Sequence, residues 1–394
     1  MSPRLLRFAL LLGWRQAARR ARRSLATFAG VTGGLVLVLM QLGFQDALYE
    51  SAVRIHRALA GEVVIVPREF NALPNAAWFE RGALAAAEAH PDVAAVATLN
   101  VMSLMLRNFE TRQIQALLLL AIDPEVPAID PSIIGADLSA LRLPGRALWD
   151  TRSRPRWGDI SGTLARDGTV EVETALAGLH LQVPLTIAGS YSLGGSIVSL
   201  GTMLVAEATL TAINGQTGER PTLAVLRLQP GTNPTKAARA IGALLPPYLL
   251  ALTRDELAAR EKRFWSRDTP IGFLFDLGAL LGFVICAVFV GQALVQTVEE
   301  SLPEYAVLRT LDLPDRFFVL AILVSGVLLA AAATPVAGVL AALLYRMSVM
   351  ATGLPLEMSM QRVALVGLLA AVTASVAGLA AGRRIRRADP ASLL

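Results

Sequence analysis

Four long apolar stretches constrain this chain more than any other feature of its sequence. They cover about residues 24–44, 271–297, 317–345 and 363–381, and each is long enough to cross the hydrocarbon core of a bilayer as one helix. Only 17% of all residues are charged, below the roughly 25% that is usual for soluble domains. The sequence therefore predicts an α-helical membrane protein with four transmembrane helices.

Arginine clusters at the two ends of the chain orient these helices. Seven arginines precede the first stretch and four follow the last one, whereas residues 45–270 are nearly neutral. Because basic segments beside membrane helices stay in the cytoplasm, both termini are predicted to be cytoplasmic, as an even number of spans allows. The first stretch has a long basic leader and no clear cleavage site, so it is predicted to be a retained helix.

Between the first two stretches the pattern changes to short strands and helices, which predicts an extracytoplasmic α+β domain at 45–270. A β-rich insertion is predicted within it at about 131–219, and the charged segment 146–160 is predicted to be a loop. The strand-like runs are 61–67, 93–106, 113–122, 168–173, 181–193, 201–210 and 222–228, and the helical runs are 76–90 and 234–245.

Two stalks are predicted at the borders of this domain. Residues 46–59 continue the first span as a helix, and residues 253–269 carry mixed charges at helical spacing and lead into the second span. If both stalks are rigid helices, they pass motion from the membrane to the external domain. Phe264 and Trp265 are predicted to anchor the second stalk at the membrane interface.

No pattern in the sequence predicts catalysis or a metal site. The single cysteine, Cys286, lies in an apolar stretch, and His56, His90 and His180 are scattered, so each histidine is predicted to be a surface or helix-end residue. The run GSYSLGGS (189–196) lacks the context of a hydrolase and is predicted to be a flexible loop, with contact to cargo or a partner as the alternative.

Phosphate binding and proton-coupled transport are also disfavoured. Neither Lys236 nor Lys262 follows the glycine-rich pattern of a phosphate-binding loop, so any ATP must be hydrolysed by another chain. Among the polar residues of the spans, Asp276 lies near the end of the second one, where a structural or interfacial role is expected.

The small residues predicted to allow close helix packing are Gly30, Gly33, Gly34, Ala370, Ala374 and Gly378.

A charged segment, PEYAVLRTLDLPDR (303–316), lies between the second and third stretches, on the predicted cytoplasmic side. It is predicted to be a short amphipathic helix. Tyr305 and Leu308 share one helical face, and Arg309 extends it four residues after Tyr305. Glu304 is a neighbour of Leu308 on the same surface. The alternative is a plain charged turn.

Three segments of the chain resemble a known family. Residues 269–313, which include GQALVQTVEESLPEYAVLRTLDL, resemble the permease subunits of DevC-type ABC exporters, within the wider FtsX/MacB/LolC permease superfamily. Residues 12–52 resemble the first span and stalk of those permeases, and RRIRRADPASLL (383–394) resembles the basic tail of the superfamily. The third span matches only in position and apolarity, and the external domain matches in size and place more than in motif.

The resemblance implies a MacB-like periplasmic domain and a cytoplasmic coupling helix that docks on a separate ATPase subunit. The residues implied to contact the ATPase are Pro303, Glu304, Tyr305, Leu308 and Arg309. Asp312 stands where relatives usually carry a glycine after this helix, so the docking geometry is left open. No catalytic residue and no cofactor is implied for this chain, because ATP and Mg²⁺ belong to the partner ATPase.

Together these inferences predict one layout for the chain. Its parts are a basic cytoplasmic segment (1–23), the first span (24–44), the periplasmic domain with its stalks (45–270), the second span (271–297), the coupling helix (298–316), the third span (317–345), an external loop (346–362), the fourth span (363–381) and a cytoplasmic tail (382–394).

The resemblance further implies a homodimer in the bacterial inner membrane that works with a periplasmic adaptor and an outer-membrane channel. The implied activity is ATP-driven export of a lipophilic or glycolipid-like substrate. The alternative is an FtsX-like signal transducer that activates a periplasmic cell-wall hydrolase. A membrane-bound enzyme is the third possibility, and the absence of a polar catalytic cluster in the sequence disfavours it.

Overall fold

Two compact units make up the chain in the computed structural model, which describes residues 11, 25–75, 77–108, 110–175, 182–194, 199–214, 220–309, 315–352 and 354–387. The helical unit comprises Met1–Asp46, Ile271–Met350 and Leu356–Leu394. The sheet unit comprises Ala47–Pro270 and Ala351–Pro355.

The described elements are numbered in chain order. The helices are α1 (Leu25–Ala52), α2 (Arg54–Arg57), α3 (Ala85–Glu88), α4 (Pro131–Ile134), α5 (Ile160–Asp167), α6 (Glu207–Asn214), α7 (Pro234–Gly242), α8 (Arg254–Arg263), α9 (Pro270–Arg309), α10 (Asp315–Thr352) and α11 (Met360–Arg387). The strands are β1 (Val63–Pro67), β2 (Val93–Arg107), β3 (Ile114–Ile122), β4 (Arg146–Asp150), β5 (Val170–Ala175), β6 (Gln182–Tyr191), β7 (Thr202–Ala206), β8 (Leu223–Leu228) and β9 (Leu249–Thr253). Short 3₁₀ helices lie at Leu73–Asn75, Arg81–Leu84 and Leu138–Arg142.

Among the described residues, four helices are long and apolar enough, by length and composition, to cross a membrane. The apolar parts are Phe28–Ala52, Pro270–Gln296, Arg316–Met350 and Met360–Leu379. Their shared core contains Val31, Leu35 and Val38 of α1, which recur at the spacing of one helical face. The buried alanines of α11 include Ala370 and Ala374, as the predicted small-residue packing requires.

Glycines bring α1 and α9 into close contact. A Cβ atom built on Gly34 would lie 3.0 Å from the backbone Cα of Cys286, and one on Gly30 would lie 2.3 Å from the ring of Phe289. Gly33 has no neighbour within 4 Å, so its predicted role in packing is wrong. Successive helix positions are about 100° apart, which explains why adjacent glycines differ.

Gly34→Leu is expected to destabilise the helical unit by about 2 kcal/mol, because the new side chain must push the α9 backbone away from α1. The neighbouring Gly33→Leu variant is the matched control and is expected to unfold close to the wild-type temperature. Thermal unfolding of the full chain in mild detergent measures both. Equal midpoints for the two variants would contradict the close α1–α9 contact.

The sheet unit is built on one mixed sheet of nine strands that closes on itself at one end. Its order is β3-β7-β4-β6-β5-β2-β8-β1-β9, and β2 also pairs with β3. Six strands therefore form a closed barrel, in which β3–β7 and β4–β6 are the parallel pairs. The strand β2 belongs to both parts: its first half pairs with β8, and its second half pairs with β3 and β5.

Buried side chains on the two faces of the strands form separate cores. One core contains residues from all six barrel strands and includes Leu104, Leu119 and Trp149, as expected of a barrel interior. The alternate residues Leu118, Leu120 and others on β3, β4 and β7 pack with residues of β1, β8 and α2 in a second core. A third core lies between the other face of β1–β8–β9 and α7.

The β-rich insertion is therefore not a separate body, because it completes a barrel with β2 and β3.

Several predicted elements also change in detail. Residues 146–150, predicted to be part of a loop, form β4, and the run 201–210 turns into helix α6 at Glu207. Four of the five β4 residues are buried, so this strand lacks the alternating pattern of a half-exposed strand. In the predicted helix 76–90, the described helical turns cover only 81–88.

The two stalks differ in their regularity. The first follows the prediction: α1 runs to Ala52, and α2 follows after the single turn residue Val53. The second begins with a capping box between Thr253 and Glu256 and continues as α8, but it ends in a π-helical turn, Phe264–Asp268, and an extended Thr269. The expectation of one rigid helix from the second stalk into the span is thus wrong.

Proline explains the break in the second stalk. Thr269 has φ −121° and ψ 153°, the extended conformation that a residue before proline prefers, and Pro270 follows it. The Thr269 hydroxyl donates to the carbonyl oxygen of Trp265 at 2.8 Å and so adds a side-chain hydrogen bond at the end of the π-helical turn.

Candidate functional site

The predicted coupling segment is the C-terminal part of a long helix. The helix α9 runs without interruption from Pro270 to Arg309, so Pro303, Glu304, Tyr305, Leu308 and Arg309 do not form a separate short helix. No glycine or proline lies between the apolar part and Pro303 to end the helix earlier. Their side chains lie outside the described part of the structure, as do residues 310–314, which include Asp312 and Pro314.

A polar cluster ties the ends of three helices in the helical unit. The guanidinium of Arg362 on α11 donates to the Asp46 carboxylate on α1 at 2.5 Å and to the Tyr345 hydroxyl on α10 at 3.2 Å. It also donates to the carbonyl oxygen of Glu357 at 3.0 Å. The Tyr345 hydroxyl in turn donates to the carbonyl oxygen of Leu39. This cluster could not be predicted from the sequence, because its members lie far apart in the chain.

Asp276 lies at the start of α9 and accepts a hydrogen bond from Gln45 of α1 at 3.0 Å. Close to it, the Gln41 side chain donates to the carbonyl oxygen of Phe275 at 3.4 Å, where Gly278 leaves room for the amide. Asp276 therefore makes a helix-to-helix contact, which fits the structural role expected from the sequence.

The run GSYSLGGS is not a flexible loop over its described residues. Residues 189–191 end β6, and residues 192–194, called the turn below, follow without regular secondary structure around the fully buried carboxylate of Asp150. One carboxylate oxygen accepts from the amides of Leu193 at 3.0 Å and Arg152 at 3.1 Å. The other accepts from the Gly194 amide at 2.8 Å and the Thr202 hydroxyl at 3.0 Å.

Tyr191 completes this arrangement and is inert as a chemical group. Its hydroxyl donates to the Thr202 hydroxyl at 2.7 Å, and its ring is buried in the core between barrel and sheet. Burial raises the pKa of the Tyr191 phenol well above its ordinary value, with a further contribution from the negative charge of Asp150. The phenol therefore stays protonated and serves as a donor. The arrangement holds a turn and offers no nucleophile.

A second buried carboxyl group lies where β7 meets α6. Glu207 accepts from the Thr98 hydroxyl at 2.5 Å and from the Asn100 amide at 3.5 Å. Burial raises the pKa of Glu207 above its ordinary value, and the hydrogen bond from Thr98 and the charge of Arg81 only partly oppose this. Because the folded state favours the protonated form, the carboxyl group contributes stability below its unfolded pKa, and that contribution is lost as the pH rises through the folded pKa.

Glu207→Gln is therefore expected to unfold at a higher temperature than the wild type at pH 8, by roughly 2 °C. The difference should shrink toward zero as the pH falls below the ordinary glutamate value, because the wild-type carboxyl group is then protonated in both states. Thermal unfolding of the full chain between pH 4 and pH 8 checks this. The exposed Glu171→Gln variant is the control, and the same pH profile in both variants would contradict the assignment.

The two stalk segments are joined by ionic contacts within the sheet unit. Glu50 near the end of α1 pairs with Arg57 of α2 and with Lys262 of α8. His56 of α2 pairs with Glu261 of α8, and both side chains are fully buried. Of the two positions expected for a histidine, the helix end holds for His56, which lies in the last turn of α2. Its side chain is buried against Glu261 and Phe70 and is not at the surface.

Among the described residues, no group of three or more histidine, cysteine, aspartate or glutamate side chains could hold a metal ion. The polar contacts found in the sheet unit fasten turns and helices to one another.

Comparison with known proteins gives matches to solved structures alone. No protein-family model matches the chain, and no curated protein matches it. The periplasmic region of MacB from Actinobacillus actinomycetemcomitans is 12% identical, with a TM-score of 0.33, over 50% of this chain and 92% of that one. The extracellular domain of the noncanonic ABC-type transporter YknZ from Gram-positive bacteria is 14% identical, with a TM-score of 0.33, over 48% of this chain and 98% of that domain. Identities and scores this low assign neither a family nor an activity.

Proposed function

We propose that this chain is the membrane-spanning permease subunit of an ABC-type export system and that a separate partner subunit hydrolyses the ATP. One observation carries the proposal: four helices apolar enough to span a membrane occur with a complete α+β unit inserted between the first and the second. With the basic ends inside, the segment Pro303–Arg309 lies on the cytoplasmic side and the sheet unit on the opposite side.

The resemblance of residues 269–313 supplies the finer part of the proposal. The chain is a DevC-type permease of the FtsX/MacB/LolC superfamily, acts as a homodimer in the bacterial inner membrane and has both termini in the cytoplasm. Closure of the ATPase dimer moves α9 and with it the closely packed α1, and the first stalk, which continues α1, passes this motion to the periplasmic sheet unit. A periplasmic adaptor and an outer-membrane channel then carry a lipophilic or glycolipid-like cargo away.

Co-purification tests this proposal. The tagged full chain is extracted from its native host in mild detergent, and the bound proteins are identified by mass spectrometry. An ATPase together with an adaptor protein is the expected result. An ATPase together with a cell-wall hydrolase would replace export by signal transduction, and the absence of any ATPase would overturn the permease assignment.

A further inference from the structure

The short helix α2 makes polar contacts on opposite sides. It continues α1 almost directly, since the amide of Val53 donates to the carbonyl oxygen of Tyr49 at 3.3 Å and the amide of Arg57 donates to that of Val53 at 3.2 Å. Arg54 and His56 are two residues apart, which places their side chains about 200° apart around the helix axis. Ile55 between them is buried in the core shared with the barrel strands β3, β4 and β7.

Arg54 contacts the turn that Asp150 holds. Its guanidinium donates to the carbonyl oxygen of Leu193 at 3.1 Å. Gly194 has φ +95°, and a Cβ atom there would lie 1.9 Å from the guanidinium nitrogen, so both conformation and space require glycine. Partial burial and the nearby Arg152 lower the pKa of Arg54, while Asp150 and Glu50 act in the opposite direction. The half-buried guanidinium of Arg54 is therefore held against the barrel by the Leu193 carbonyl group, in space that Gly194 leaves free.

His56 contacts the second stalk. Its Nε2 atom lies 2.5 Å from a carboxylate oxygen of Glu261, and Nδ1 makes no hydrogen bond to any described residue. The Glu261 carboxylate also accepts from the Leu73 amide and from the indole nitrogen of Trp265, each at 3.3 Å. A fully buried polar pair costs stability relative to apolar packing of the same volume, so the presence of His56 and Glu261 here favours a role in fixing the register of these segments.

From these contacts we infer that α2 is a two-sided relay, in which Arg54 connects the first stalk to the barrel and His56 connects it to the second stalk. A displacement of the end of α1 then reaches the turn at Leu193–Gly194 and the helix α8 together. Arg54 and His56 are positioning residues. The inference deepens the proposed function and rests on it for the source of the displacement, but the coupling itself is a property of this chain.

A double-mutant cycle on the purified full chain tests the relay without any partner. Gly194→Ala pushes a methyl group against the Arg54 guanidinium, and hydrogen exchange is measured in α8 at the far side of α2. Gly194→Ala is expected to raise exchange in α8 about fivefold, the lower end of typical coupling between sites. In an Arg54→Met background the same substitution should leave α8 unchanged, while local exchange at residues 191–194 still rises.

Arg57→Met is the matched control, because Arg57 lies on the same helix and its exposed guanidinium pairs with Glu50 instead of the barrel. In that background Gly194→Ala should still raise exchange in α8. If Arg54→Met does not fold, Arg54→Gln takes its place in the cycle. The relay would be overturned if Gly194→Ala changed hydrogen exchange in α8 equally in the wild-type, Arg54→Met and Arg57→Met backgrounds. It would also be overturned if Gly194→Ala left exchange in α8 of the wild type unchanged.

A second stage separates the relay from the proposed function. The co-purified ATPase is locked with a non-hydrolysable ATP analogue, and exchange at residues 191–194 is compared in the wild type and in Arg54→Met. If the locked ATPase changes exchange at residues 191–194 in the wild type but not in Arg54→Met, both proposals are supported. If the same change occurs in Arg54→Met, the relay is overturned. If the first cycle shows coupling but no ATPase binds the chain, the relay stands and the permease assignment fails.

Discussion

The Tyr305→Ala, Arg309→Ala double variant is expected to lose the partner ATPase while the rest of the chain keeps its fold. The two residues are four positions apart in α9, which places them on one face of the helix. Tyrosine and arginine are the types that most often dominate protein interfaces, and truncation of such a residue commonly costs about 2 kcal/mol or more. We therefore expect at least a 30-fold weaker interaction, about 2 kcal/mol.

The measurement is the amount of ATPase that co-purifies with each variant, followed by a binding isotherm with the isolated ATPase. Val307→Ala is the matched control, since Val307 lies two positions after Tyr305 and so about 200° around the helix axis. It should bind the ATPase as the wild type does. Retention of the ATPase by the double variant would exclude this face of α9 as the coupling surface.

Asp150→Leu is expected to cause the largest loss of stability in the sheet unit. The substitution removes the acceptor of four hydrogen bonds and leaves three amides and the Thr202 hydroxyl without that partner in a buried place. Each unsatisfied buried donor costs about 1–3 kcal/mol, and partial rearrangement of the turn reduces the sum, so we expect a loss of about 3–5 kcal/mol. Asp150→Asn keeps one acceptor oxygen and should fall between Asp150→Leu and the wild type.

Tryptophan fluorescence during urea unfolding of the full chain in detergent checks this prediction. Trp149 and Trp157 report on the barrel, because their rings meet edge to face at 5.6 Å in its interior. Asp159→Ala is the control: Asp159 is an exposed helix cap that accepts from the Gly162 amide at 2.9 Å, and its loss should cost about 1 kcal/mol. A loss for Asp150→Leu no larger than for Asp159→Ala would mean that the turn does not depend on the carboxylate.

Hydropathy and periodicity predicted the elements of this protein better than their connections. The four apolar helices need no tertiary information, because each must be uniformly apolar along its length. Closure of the barrel could not be predicted, since β2 must pair not only with β3, the next strand along the chain, but also with β5, which is distant in sequence. The break at Thr269 carries a local signal, the proline that follows it, and could have been predicted.

The polar contacts were harder to predict than the fold. Asp150, Arg54 and Glu261 are ordinary charged residues in the sequence, and their complete or partial burial arises only when distant segments meet. Gly194 lies in a glycine-rich run that is typical of a flexible loop. Its positive φ and its close contact with Arg54 nevertheless require glycine at this position. For the coupling segment the sequence predicted a partner-binding face, and that face remains a prediction, since the described structure gives its backbone alone.

The strand β2 is shared by the barrel and the open sheet, which limits where the sheet unit can be divided, either by evolution or by an engineered deletion. One 15-residue strand is a wall of the barrel along its second half and a member of the open sheet along its first half. Removing residues 131–219 would therefore leave β3 and half of β2 as bare edges beside an uncovered apolar face. The barrel and the open sheet cannot be exchanged between related proteins as separate modules, and any chimera must take its boundaries outside both.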